Sequence, residues 1–227
     1  MSETLAAGQW DAAYAEGRYA GEPPLPFVGT IIDSLGDEGH EAYGLYVGCG
    51  NGRNYVPLLE SGLRLTGIDI SALAIEQLVE RCPAAEKKVM VRDFQAMHAA
   101  KVWDYIVSIQ TFQLGTKQTV MELFTHTHQA LRPGGKLFLR VNAADTEIYH
   151  PHHTIESWKS GSKTIVYEAG SKKDMPEHFF SKRELGSIAT KFGFKIMSPA
   201  RKVTESRQPP KTGTWSQWET IWQRARS

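Results

Sequence analysis

Val47-Gly48-Cys49-Gly50-Asn51-Gly52-Arg53-Asn54 decides how this chain folds. The apolar run Tyr43-Gly44-Leu45-Tyr46-Val47 leads into it, and a short apolar run ending in glycines reads as a buried strand. Glycines at 48, 50 and 52 let the backbone turn sharply and come close to a ligand. Residues 54–61 then read as a helix that Gly62 ends. The free N–H groups at the start of such a helix point at whatever binds above the loop. The spacing is G-x-G-x-G, not the dinucleotide G-x-G-x-x-G, which argues against a nicotinamide dehydrogenase.

The same alternation continues outward from the loop. Residues 64–68 read as a second strand ending at Asp69. Ser71 can cap a helix that runs to Arg81 and stops at Pro83. Residues 88–91 form a third strand ending near Asp93, and residues 103–109 a fourth ending at Gln110. A helix over 118–131 closes at Arg132-Pro133-Gly134-Gly135, before a fifth strand at 136–141. Residues 142–175 read as irregular, with one β-prone piece at 164–167. Ser181 caps a helix to Phe192, with Glu184 completing a capping box. A strand at 194–199 and a proline-containing turn at 206–213 follow. Trp215, Trp218 and Trp222 have helical spacing, yet residues 214–223 follow a strand and a turn and are read as a strand.

Strands alternating with helices imply βαβ units, and right-handed crossovers then put helices on both faces of the sheet. The fold expected is α/β, a Rossmann-like doubly wound seven-stranded sheet, mostly parallel with an antiparallel last strand. In such sheets ligands bind beyond the carboxyl ends of the strands. Gly48, Asp69, Asp93 and Gln110 all fall there.

Composition narrows the function classes. The 227 residues suit one domain, 1–227, and an apolar fraction of 41% is enough for a sizeable core. Residues 1–27 read as an N-terminal arm over the site, and 142–178 as an insertion near it. With 26 basic and 25 acidic residues, nothing overall pulls toward nucleic acid or an anionic membrane. No segment has the roughly 18 consecutive apolar residues of a membrane span. Two cysteines make no disulfide framework, so a reduced, cytoplasmic protein is expected. The histidines at 150, 152 and 153 fit no standard zinc spacing, and no metal is expected.

Taken with Gly67-Ile68-Asp69-Ile70-Ser71, Arg92-Asp93-Phe94, Trp103-Asp104-Tyr105-Ile106-Val107-Ser108 and Leu131-Arg132-Pro133-Gly134-Gly135, the glycine loop resembles the ordered motifs of class I S-adenosylmethionine-dependent methyltransferases. The likeness covers roughly residues 10–141. Gly52-Arg53-Asn54 and Trp10-Asp11-Ala12-Ala13-Tyr14 are further similar to the tellurite-resistance and thiopurine-type small-molecule methyltransferases. The resemblance implies S-adenosyl-L-methionine as cofactor. Gly48, Gly50 and Gly52 would contact its methionine part, and Cys49 and Asn54 of the same loop join the site. Asp69 would hold the ribose, with Ile70 beside it. Asp93 would take the adenine amino group, and the Phe94 amide the ring. Gln110 would lie near the sulfonium. Trp10, Tyr14 and Arg18 would close over the cofactor, with Arg18 a candidate for its carboxylate. One departure stands out: Tyr46 occupies a position where the family has an acidic residue, the usual anchor for the cofactor's ammonium.

The acceptor side is expected to include Phe112, Gln113, Arg140, Asn142 and Trp218, with His178, Arg140 and His150 as candidate catalytic groups. Gln110-Thr111-Phe112-Gln113 replaces the Asn-Pro-Pro-Tyr type motif of nucleic-acid amino methyltransferases. The function expected is methyl transfer to an O, S or N nucleophile of a small molecule, by a monomer or homodimer. The alternatives are a macromolecular methyltransferase, using the basic C-terminal third as a docking face, and a non-catalytic binding module, suggested by Tyr46.

Overall fold

A computed structural model describes residues 3–97, 101–209 and 211–226. In chain order the elements are α1 (Glu3–Ala15), α2 (Phe27–Leu35), β1 (Tyr43–Val47), α3 (Tyr55–Glu60), β2 (Arg64–Asp69) and α4 (Ala72–Arg81). Next come β3 (Val89–Val91), β4 (Trp103–Ile109), α5 (Lys117–Ala130), β5 (Leu131–Asn142), β6 (His152–Ser157) and β7 (Lys163–Tyr167). The chain closes with β8 (Pro176–Phe179), α6 (Lys182–Lys191), β9 (Phe194–Ser206) and β10 (Thr214–Arg224).

Seven strands form one sheet in the order β3-β2-β1-β4-β5-β10-β9. β1 pairs in parallel with β2 on one side and β4 on the other, so the strand order reverses there. β10 runs antiparallel to both β5 and β9. This is the doubly wound sheet expected. Alternate residues of one strand feed two separate cores. Tyr46, Tyr105, Val107 and Phe138 pack on one face, with α2, α3 and α4. Leu45, Val47, Ile106 and Leu137 pack on the other, with α5 and α6. Each such side chain contributes about 1.5–3 kcal/mol on burial. A helix cap contributes about 1 kcal/mol, so the two-faced burial dominates.

The caps form where expected. Ser71 Oγ accepts from the Ala74 amide at 3.0 Å, and Ser181 Oγ from the Glu184 amide at 3.1 Å. The capping box at Ser181 is only half made, because the Glu184 carboxylate turns inward to His178 and Lys117.

Three expectations need correction. The helix before the fifth strand is Lys117–Ala130, and β5 already begins at Leu131. Residues 132–135 loop out of register between the pairs Trp103↔Leu131 and Tyr105↔Lys136, with Gly134 at a φ of +83°. Residues 142–175 are not irregular: β6, β7 and β8 form a three-stranded antiparallel sheet. Its buried side chains Ile165, Tyr167 and Phe179 make a small core of their own. β9 runs to Ser206 rather than ending near 199, because β10 pairs along its length.

Candidate functional site

The parallel registers align the carboxyl ends of the central strands. Val47 sits opposite both Ile68 and Ser108. Gly48, Asp69 and Gln110 therefore lie side by side, around a cavity of about 370 Å³ that all three line. The Gly48 and Cys49 amides both donate to the Ile68 carbonyl, at 2.8 and 3.0 Å, pinning the loop to β2. Gly48 has a φ of +74°, and a Cβ there would lie 2.1 Å from Thr111 Oγ1. Cys49 is buried on this wall, and burial pushes its thiol pKa well up. Gly52 lines no part of the cavity; a Cβ there would meet Val56 and Leu78, so it packs the loop onto the helices beneath.

Asp69 is a half-buried carboxyl group of the site. Its two oxygens accept from the Gly50 amide at 2.8 Å and the Ser71 amide at 3.0 Å. Burial raises its pKa, and the backbone donors at Ser71, Gly50 and Ile70 oppose the rise. Asp93 accepts from the Gln95 amide at 2.9 Å. Phe94 lines the cavity and stacks on Phe112 with ring centres 5.9 Å apart. Phe112 itself is in the core behind it. Tyr46 also lines the cavity, and burial pushes its hydroxyl pKa far up, so it stands neutral where the family's acid would be.

The N-terminal arm closes one side. Asp11 accepts from Ser71 Oγ at 2.6 Å and from the Leu73 amide at 3.2 Å, a carboxylate placed on the positive end of α4. Tyr14 is buried, and its hydroxyl would lie 2.4 Å from a Cβ at position 50. The Gly-Arg-Asn ending of the loop also serves the arm. Arg53 Nε donates to the Pro23 carbonyl at 2.7 Å and its guanidinium pairs with Glu22 at 2.8 Å. Asn54 Oδ1 accepts from the Leu25 amide at 2.9 Å.

A second cavity, of about 310 Å³, meets the first at Trp10, Tyr19, Arg53 and Gln110. Gln110 holds a left-handed backbone, φ +62°, which costs a residue with a Cβ about 1–2 kcal/mol. Strain of this kind concentrates at functional sites. Arg18, Gln113, Arg140 and His150 line the second cavity. Arg18, the sequence's candidate for the cofactor's carboxylate, is among the residues lining this second cavity. Arg140 is only 2% exposed and fully engaged, with Gln217 at 2.6 Å and Glu219 and Glu205 each at 2.9 Å. Gln113 accepts from the Asn142 amide at 2.9 Å and donates to Glu177 at 2.9 Å. Lys172 also donates to Glu177, at 2.6 Å; burial works to raise the carboxyl's pKa, and Lys172 outweighs it and holds the group below its usual range.

Three expected acceptor-side residues line neither cavity. Phe112 is core, and Trp218 packs against the same core while donating to the Phe180 carbonyl at 2.9 Å. Asn142 is fully buried behind Gln113. His178 also lies outside both cavities. It hydrogen bonds to Thr164 at 2.8 Å and Glu184 at 2.9 Å, and burial, with Lys117 nearby, pushes its pKa down to about 3. His152 Nδ1 contacts the His150 carbonyl at 3.0 Å, and His153 pairs with Glu168. Among the described residues, no group of three or more His, Cys, Asp or Glu side chains could hold a metal. None of the described helices is long and apolar enough to cross a membrane. Asp11 and Glu177 escaped sequence reading; Ser71, which donates to Asp11, is 60 residues away along the chain, and Gln113, which donates to Glu177, is 64 residues away.

A family model described as "Methyltransferase domain" matches residues 45–135, the stretch from β1 through the Gly135 bulge. The fold matches that of 1,6-didemethyltoxoflavin-N1-methyltransferase from Burkholderia thailandensis, with a TM-score of 0.69. The two are 15% identical, over 99% of this chain and 91% of that one. By fold, and by the match over residues 45–135, the chain is similar to S-adenosylmethionine-dependent methyltransferases. TehB from Haemophilus influenzae shares this methyltransferase fold at a TM-score of 0.64, with 15% identity over 94% of this chain and 67% of that one. So does magnesium protoporphyrin IX methyltransferase from Synechocystis, at 0.64 and 14% identity, over 98% of this chain and 97% of that one. No curated protein sequence matches this chain.

Proposed function

We propose that this protein binds S-adenosyl-L-methionine in the first cavity and transfers its methyl group to a small molecule in the second. The observation that carries the reading is Gln110, held in a strained backbone at the junction of two cavities, the first of which the glycine loop and Asp69 also line. Two neighbours in fold support it. The Burkholderia enzyme has 1,6-didemethyltoxoflavin and S-adenosylhomocysteine bound, and the Synechocystis enzyme has S-adenosylmethionine bound.

The residues present fit the cofactor. The first cavity is within the size range of small-ligand sites, and its acidic side chains suit a ligand rich in hydroxyl and amino donors. The Asp69 oxygens accept from the Gly50 and Ser71 amides, one on each, and keep acceptor capacity for the ribose hydroxyls. Asp93 would accept from the adenine amino group. Tyr46, Gln110 and loop carbonyls would face the ammonium in place of the missing acid. When bound, the cofactor supplies a methyl group already activated by positive sulfur. The protein's task is then to hold the acceptor about 3–3.5 Å from that methyl and exclude water. Trp10, Tyr14 and Tyr19 would exclude water from the arm side, and we read residues 142–178 as an insertion that walls the acceptor. His150 can take a proton from an acceptor that still carries one, since burial and the neighbouring cations keep it unprotonated.

Calorimetry with S-adenosylmethionine and S-adenosylhomocysteine tests the reading, and absence of binding at millimolar concentration would overturn it. Transfer of labelled methyl to cell extract, split by size, separates a small acceptor from a macromolecular one. Label found only in the large fraction would favour the macromolecular reading.

A further inference from the structure

The second cavity collects cations. Three of them are neutralised by the protein itself: Arg53 by Glu22, Arg140 by Glu205 and Glu219, and Lys172 by Glu177. Two others, Arg18 and Lys211, line the cavity and form no ion pair with any described carboxylate. Arg207 adds a further positive charge on the adjoining surface cavity, which shares His150, Tyr167, Glu205, Lys211 and Trp215 with this one. The consequence is visible at His150. Burial, and then Lys211, Arg207 and Lys172, all push its pKa down.

Arg18 is held rather than free. Its guanidinium lies 5.1 Å from the Trp10 ring centre and 4.8 Å from that of Tyr19. It donates to Ser171 Oγ at 3.0 Å and to the Tyr19 hydroxyl at 3.1 Å. Its Nε is buried with no acceptor among the described residues. A fixed guanidinium with an unused donor and no direct ion-pair partner is pre-organised for an anion. Four aromatic residues, Trp10, Tyr19, Tyr167 and Trp215, also line the cavity.

We infer that the second cavity takes a small planar acid, with Arg18 and Lys211 reading its acidic group and the aromatic side chains its flat body. That this ligand is the methyl acceptor rests on the function proposed above. The competing role for Arg18 is to staple the arm to Ser171, with no ligand involved.

Benzoate and benzamide, nearly the same in shape and different in charge, separate the two. Titrations use the full chain loaded with S-adenosylhomocysteine, by calorimetry and ligand-observed NMR. Benzoate should bind at least tenfold more tightly than benzamide. Lys211 is exposed, so Lys211→Gln should fold normally and weaken benzoate several-fold without changing benzamide. Arg18→Gln should weaken benzoate at least tenfold and leave S-adenosylhomocysteine affinity within about twofold. Equal affinity for the two probes, or binding of neither, overturns the inference. Loss of S-adenosylhomocysteine affinity in Arg18→Gln with benzoate binding intact also overturns it, and assigns Arg18 to the cofactor. If the wild-type protein fails to bind S-adenosylhomocysteine, the methyl-transfer reading falls; benzoate against benzamide on the unloaded protein still decides the charge reading.

Discussion

Gly50→Ala tests the closest contact between the arm and the glycine loop. Gly50 has a φ of +53°, where alanine costs about 1–2 kcal/mol. The smaller unfolded-state entropy of alanine returns about 0.4–1 kcal/mol. The new Cβ would also stand 2.4 Å from Tyr14 Oη, nearer than non-bonded atoms can sit. Tyr14 cannot swing away freely, being buried between Trp10 and Tyr19 with ring centres 6.2 and 6.4 Å off. Forced overpacking of this kind costs about 1–3 kcal/mol. The sum is about 1–4.5 kcal/mol in the wild-type background. In Tyr14→Phe the hydroxyl is gone, and the nearest ring atom is 3.4 Å from the new Cβ, an ordinary contact. Gly50→Ala should then cost only the backbone part, about 0–1.5 kcal/mol. The coupling between the two substitutions should be about 1–3 kcal/mol, read from urea midpoints of the four proteins in the cycle. Equal cost of Gly50→Ala in both backgrounds would refute the claim that Tyr14 closes over the loop. S-adenosylhomocysteine titration of the same four proteins adds a functional readout, with affinity down at least tenfold in both proteins that carry Gly50→Ala.

Three further substitutions probe the rest of the site. Gln110→Gly removes the left-handed strain but adds about 0.5–1 kcal/mol of unfolded-state entropy; stability should hold or rise slightly while turnover falls, and a clear drop in melting temperature would contradict this. Arg140→Met leaves Glu219 buried with only the exposed Arg201, at 2.6 Å, to balance it; denaturation should show a loss near 3 kcal/mol, recovered in part by adding Glu219→Gln, and a neutral single substitution would contradict the ion-pair account. Asp69 has a pKa above its unfolded value, so its contribution to stability is present at low pH and declines as pH rises through the folded pKa. Ligand affinity should run the opposite way, falling as pH drops into that range, because only the carboxylate can accept from two hydroxyls. Asp69→Asn should flatten that affinity profile, and an unchanged profile would remove Asp69 from the ribose.

The central sheet was legible because parallel strands buried on both faces are continuous apolar runs. Leu45-Tyr46-Val47 and Tyr105-Ile106-Val107 admit little else between turn signals. The small sheet was not legible for the opposite reason. β6 is polar and largely exposed, and only β7 carries the buried Ile165 and Tyr167 that mark a strand. β10 was ambiguous because its tryptophans serve different surroundings. Trp218 and Trp222, an even number of residues apart, join one core, while Trp215 meets Phe179 of the small sheet. Among site residues, Asp69 and Gln110 were legible because strand ends in a doubly wound sheet converge. His178 was not. A sequence shows a histidine beside aromatics, but not that Thr164 and Glu184 already occupy both of its nitrogens.

The two cavities share more than a boundary. Tyr14 stands over Gly50 in the first, and Arg18, four residues further on and past the end of α1, lines the second. The loop also grips the segment between them, since Asn51 Nδ2 donates to the Arg18 carbonyl at 3.1 Å. Arg53, two residues beyond Asn51, lines both cavities and holds residues 22–23. A ligand that settles the glycine loop therefore settles the backbone that carries Arg18. Substitutions at Gly50 or Tyr14 should thus be felt at the acid site as well as at the cofactor. Benzoate affinity measured across the Gly50–Tyr14 cycle gives that link a number, and values unchanged in all four proteins would show that the arm positions each cavity independently.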